Sequence, residues 1–149
     1  GVQVALGADF RITTPDAKWS VLEGKWGLIP DMSGIAALAQ LVGIEQAKRL
    51  TMTAQVFSGE RAIELGLVSQ VGADPYADAL ELAGELATRS PDALAAAKRL
   101  FETCWNCRPR RTFGRERLEQ VRLLTGKNAK IAREAAFKRE SPAFAPRSR

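Results

Sequence analysis

The feature that most constrains this chain is the placement of its β-prone sequence. Extended-type segments crowd into the first thirty or so residues, and most of the chain beyond Ser33 carries helical periodicity. Asp9-Phe-Arg-Ile-Thr-Thr14 alternates and is rich in β-branched residues, so it reads as a strand. Lys18–Leu22 reads as a second, with Trp19 and Val21 on one face, and Leu67–Val71 as a short later one. Val2–Gly7 is short and apolar and fits either a strand or a buried helical turn. A few short strands cannot make a stable sheet alone, so their partners are expected upstream. The opening points the same way. Gly1 leads straight into Val2-Gln-Val-Ala-Leu6, where a natural N-terminus usually begins polar and loosely held. The sequence is therefore expected to be a fragment of a longer protein.

The remaining punctuation is helical. Pro15-Asp-Ala17 reads as a turn, and Glu23–Asp31, with two glycines and a proline, as a loop. From Ser33, Ile35, Leu38, Leu41 and Val42 form an apolar stripe closed by Gly43, and Glu45–Ala54 comes next as a second helix. Ser58, Asp74-Pro75 and Ser90-Pro91 are start signals for three more. The helix after Ser90 carries Leu94, Ala97, Phe101 and Cys104 on one stripe, and Pro109 ends it. Gly114–Leu124 and Asn128–Arg139 complete the series.

Composition excludes several classes. With 46% hydrophobic and 26% charged residues, the 149-residue chain is globular rather than disordered. Gln40 interrupts the longest apolar run, Gly34–Val42, and no secretory pattern opens the chain, so no membrane partner and a cytoplasmic location are expected. The net charge of +5 gathers after Gly126 in Lys127, Lys130, Arg133, Lys138, Arg139, Arg147 and Arg149. That tail is either a solvated helix face or a surface for phosphorylated ligands; no nucleic-acid motif accompanies it, so no nucleic-acid partner is expected. Cys104 and Cys107 form a C-x-x-C spacing, but with no histidine and no second pair a zinc site lacks ligands. Both are read as buried small apolar residues near a helix end rather than as a redox pair.

Several segments agree in order and spacing with one family. Gly1-Val-Gln-Val-Ala-Leu-Gly-Ala-Asp-Phe-Arg-Ile12, Pro15-Asp-Ala-Lys18 and Glu23-Gly-Lys-Trp-Gly-Leu-Ile-Pro30 resemble the enoyl-CoA hydratase/isomerase (crotonase) superfamily. So do Leu41-Val-Gly43, Ala47-Lys-Arg-Leu50, Phe57-Ser-Gly-Glu-Arg-Ala62, Gly66-Leu-Val68, Ser90-Pro-Asp-Ala93 and the Lys138-to-Phe144 end. The resemblance runs along nearly the whole chain and matches the family's C-terminal half. It implies an α/β fold. Residues 1–72 would be the end of the crotonase-like ββα spiral, with the active-site loop. Residues 73–149 would be a helical C-terminal region for oligomerisation and coenzyme A contacts. It also implies acyl-CoA thioester substrates, coenzyme A as part of the substrate with no separate cofactor, no metal, and a homotrimer or hexamer.

The resemblance further implies an oxyanion hole of two backbone N–H groups that stabilises an enolate at the thioester. Gly1 matches the last glycine of the family's glycine run, so both donors would lie upstream. Hydratases of the family pair two glutamates around one water. Gln3 matches the first and Glu23 the second. A glutamine only hydrogen-bonds, whereas Glu23, between Val21-Leu22 and the Gly24 loop, would be suited by desolvation to proton transfer. Asp31, after Pro30, matches a loop aspartate of the family's dienoyl-CoA isomerases, although it fits equally an N-cap for the Ser33 helix. Catalytic roles are thus expected of Glu23 and Asp31, and substrate contacts of Gly1, Gln3, Leu22, Pro30 and, in the basic tail, Lys138. One carboxylate suffices to carry a proton between two carbons, so the expectation is double-bond isomerisation on an enoyl-CoA. Enoyl-CoA hydration, or acyl-CoA binding without catalysis, are the alternatives, and the chain alone is expected to be inactive.

Overall fold

The computed structural model describes residues 1–148. The chain divides into two compact units, Gly1–Leu80 and Glu81–Arg149.

The first unit begins with α1 (Val2–Leu6), settling the ambiguous opening segment as a helix. The extended segments are shorter than their composition suggests. β1 is only Ile12–Thr13, and β2 only Gln70–Val71; they pair in parallel, Ile12 opposite Gln70 and Thr13 opposite Val71. Lys18–Leu22 is not a strand: Trp19 alone forms an antiparallel bridge to Phe57, through two N–H···O bonds of 2.9 Å. The cause is a shortage of neighbours. A β-prone segment becomes a ladder only along the length over which another backbone runs beside it. Glu23–Asp31, expected as loop throughout, opens with a 3₁₀ turn, Leu22–Trp26.

Helices α2 (Gly34–Val42), α3 (Ile44–Thr53) and α4 (Gly59–Glu64) come next. Gly43 both closes α2 and opens α3. The Ser58 hydroxyl accepts from Arg61 N at 3.2 Å, the expected cap of α4. The core gathers Val2, Val21, Leu38, Ala47, Leu50, Ala62, Leu67 and Val68 from these elements and the segments between them. Leu38, Leu50 and Leu67 are essentially fully buried, each contributing about 1.5–3 kcal/mol of burial. Ile35, assigned to the same stripe as Leu38, is instead exposed.

α5 (Pro75–Ala87) runs across the boundary between the units, its first turn held by Asp74 Oδ1, which accepts from Tyr76 N and Ala77 N at 3.1 Å each. The second unit is a series of helices: α6 (Pro91–Cys104), α7 (Pro109–Leu124) and α8 (Lys127–Lys138). Pro109 does more than stop the preceding helix: it occupies the first turn of α7, which therefore starts before Gly114. Cys107 lies outside α6, correcting the reading of both cysteines as helical. Asn128 is the polar anchor of this unit. It is buried, its amide donates to Asp92 Oδ2 at 2.8 Å and to the Ala145 carbonyl at 3.1 Å, and its carbonyl accepts from Ala145 N at 2.9 Å. Ser148 adds its N–H and its hydroxyl to Asp92 Oδ1, so the C-terminal segment is tied to both α6 and α8.

Candidate active site

Gln3 and Glu23 meet although twenty residues separate them. Gln3 points from α1 into the core side of the unit and is 7% exposed. Its Nε2 donates to Glu23 Oε1 at 2.5 Å. The other carboxylate oxygen, Glu23 Oε2, is buried and has no hydrogen-bond partner among the described residues. A buried carboxylate oxygen without a donor is uncommon, because desolvation without compensation is costly.

Two glycines make room for this pair. A Cβ on Gly34, at the start of α2, would stand 2.7 Å from Gln3 Cγ. One on Gly24, next to Glu23, would stand 2.7 Å from the Thr51 carbonyl oxygen. Gly24 thus lets the 3₁₀ turn lie against the end of α3, and Gly34 lets α2 close over the Gln3 side chain. Pro30 is buried and packs on the same side of Gly34.

A family model described as enoyl-CoA hydratase/isomerase matches residues 1–136. The chain belongs to that family. Methylglutaconyl-CoA hydratase, mitochondrial, from Mus musculus is 35% identical over 104 residues, 66% of this chain and 33% of that protein. A probable enoyl-CoA hydratase from Bacillus subtilis is 31% identical over 151 residues, covering 97% of this chain and 57% of that one. The crystal structure of an enoyl-CoA hydratase from Polaromonas sp. JS666 superposes with a TM-score of 0.91 at 29% identity, over 97% of this chain and 57% of that chain. That of enoyl-CoA hydratase from Bacillus anthracis gives 0.93 at 25% identity, again over 97% and 57%. This enoyl-CoA hydratase/isomerase family member therefore has a crotonase-like fold, mostly helical over its span. It covers from a third to somewhat over half of the length of these curated relatives. No helix among the described residues is long and apolar enough to cross a membrane.

The other residues singled out in this family member lie on several elements. Leu22 opens the 3₁₀ turn and is 42% exposed. Gly1 is the N-cap of α1. Asp31 is exposed, and its side chain does not cap α2; only its carbonyl takes part, accepting from Gly34 N at 2.8 Å. Directly after it, Met32 and Ser33 both adopt left-handed backbone conformations, φ 50° and 60°. Two consecutive non-glycine residues there store local strain, which tends to collect at functional loops. Lys138 ends α8, exposed, in the second unit. Gly34 is a site residue that sequence reasoning missed. Its only sequence signal is a poor helix former at the first position of a helix, which does not reveal a contact with a residue 31 positions earlier.

Proposed function

We propose that Glu23 is the acid/base of a proton transfer on an enoyl-CoA thioester, favouring migration of the double bond over addition of water. The observation that carries this is the Gln3–Glu23 hydrogen bond together with the unpartnered Glu23 Oε2. Gln3 has no acidic proton to transfer; it orients the carboxylate and leaves one oxygen to act. Glu23 Oε2 removes a proton from one carbon beside the thioester-conjugated system. The electron pair moves toward the thioester oxygen, and Glu23 delivers a proton, the one it took or one exchanged with water, to another carbon, so the substrate's composition is unchanged. Oxyanion donors for the thioester oxygen would come from outside this span, in the remainder of a ββα spiral that β1 and β2 continue. Asp31, on the strained loop, is proposed as a second polar group toward the substrate, with Leu22 and Pro30 as apolar contacts, Gly1 and Gln3 as substrate contacts from the start of α1, and Lys138 for the nucleotide phosphates. Assembly as a trimer or hexamer is supported by the exposed apolar side chains Trp26, Ile29, Met52 and Phe137.

Hydration is the second reading, favoured by the names of the hydratase relatives. The two readings separate in the full-length protein. Under the first, 3-enoyl-CoA is converted to 2-enoyl-CoA with exchange of the migrating hydrogen into deuterated water, and Glu23→Gln lowers that rate about 10²–10⁴-fold. Gln3→Glu then raises hydration of crotonyl-CoA at the expense of isomerisation. Rapid crotonyl-CoA hydration that Glu23→Gln leaves unchanged would sink the assignment.

A further inference from the structure

We propose that Cys104 and Cys107 form a reversible dithiol–disulfide site, oxidised by a small anionic disulfide of the glutathione class. Cys104 is the last residue of α6, and Cys107 N donates back to its carbonyl at 3.0 Å. That bond closes a four-residue turn, Cys104-Trp-Asn-Cys107. Such a turn holds its first and fourth Cα atoms within about 7 Å, and disulfides bridge Cα atoms about 4.4–6.8 Å apart. Closure therefore asks for side-chain rotation and not for a new backbone path. Thr103 touches both sulfurs: its carbonyl accepts from Cys107 Sγ at 3.3 Å, and its hydroxyl lies 3.7 Å from Cys104 Sγ. Both thiols are free, and no group of three or more candidate metal ligands exists among the described residues to claim them.

The two cysteines are unequal in a way that orders the chemistry. Cys104 is 4% exposed, while Cys107 is half-buried. Burial, then the hydrogen bond and charge of the Cys104 thiol, push the Cys107 thiol above its ordinary range, against the pull of Arg111 and Arg115. Those two arginines, with Arg108, are exposed beside the turn and suit an oxidant that carries carboxylates. Cys107, as thiolate, attacks one sulfur of the oxidant, its proton passing to water. A protein–glutathione mixed disulfide forms, and one glutathione thiolate leaves. The Cys104 thiolate then attacks the Cys107 sulfur and displaces the second glutathione. The protein loses two electrons and two protons, and the oxidant becomes two thiols. Closure also pins one wall of a cavity of about 390 Å³ between α6 and α7, lined by Cys104, Trp105, Phe101 and Thr112.

The test is to incubate the full-length protein with oxidised glutathione, alkylate the remaining thiols and weigh the protein. The expected result is loss of both thiols with no glutathione retained, reversal by dithiothreitol, a shift in Trp105 emission, and a rate that rises with pH. Cys104→Ser is expected to stop at a stable glutathione adduct on Cys107, and Cys107→Ser to give little or no adduct. Both thiols remaining reduced, a stable adduct on the wild-type protein, or a disulfide between two protein molecules would each overturn the proposal.

Discussion

Gln3 commits its amide donor to Glu23 and its aliphatic stem to Gly34, so three residues from three elements set one carboxylate. The expected consequence is sharp at Gly34. Gly34→Ala forces the Gln3 side chain to move, costing about 1–3 kcal/mol as overpacking. Thermal unfolding should register the loss, and turnover in the full-length protein should fall with it, because a displaced Gln3 no longer orients Glu23. Gly24→Ala should be the harsher change, since its obstacle is the Thr51 carbonyl, which cannot swing aside as a side chain can. That Gln3 can only hydrogen-bond while Glu23 carries a carboxylate was legible in the sequence, because residue type decides it. Their supporting glycines were not, because a close approach is a property of two distant segments. The role of Asp31 as a cap was legible as a possibility and is not realised, the α2 entry being shaped by the left-handed Met32 and Ser33 instead.

Helix starts were the most readable elements. Ser58, Asp74 and Ser90 each accept the N–H bonds their types predict. Ser58→Ala should lower stability by about 1 kcal/mol in a denaturant titration, and Ser90→Ala by less, its bond to Ala93 N being longer at 3.4 Å. Strands were overread, since their length depends on neighbours and not on composition. The Asn128 anchor joins α6, α8 and the C-terminal segment, and Asn128→Ala, which strands the Ala145 groups and Asp92 Oδ2, should cost about 1–3 kcal/mol. The Asp92 carboxyl is held below its ordinary range, chiefly by the Ser148 N–H, then by the Asn128 and Ser148 side chains and Arg147, against an opposing desolvation. A depressed carboxyl contributes stability that is complete above its unfolded value and is lost as pH falls through its lower folded value. Protection of the Ser148 amide from hydrogen exchange should therefore fade only in acid below the ordinary aspartate range, and Asp92→Asn should remove that pH dependence.

Across the molecule, the interior is small and the apolar exterior large. Phe137 is 89% exposed, Met52 78%, Ile29 76% and Trp26 71%. Large exposed apolar areas mark surfaces that another body covers. Residues 1–149 alone should bind an apolar fluorescent dye strongly, and the full-length protein weakly; equal binding would contradict a covering role for the rest of the protein. The family was legible because many weak motifs keep their order along the chain. The Gln3–Glu23 contact has an evolutionary corollary. Glutamine and glutamate codons differ by one base at the first position, and the backbone already holds residue 3 within hydrogen-bonding reach of Glu23. A lineage carrying this scaffold stands one nucleotide from a two-carboxylate centre, so under the proposed reading moving atoms within a substrate and adding water to it are neighbouring states under selection.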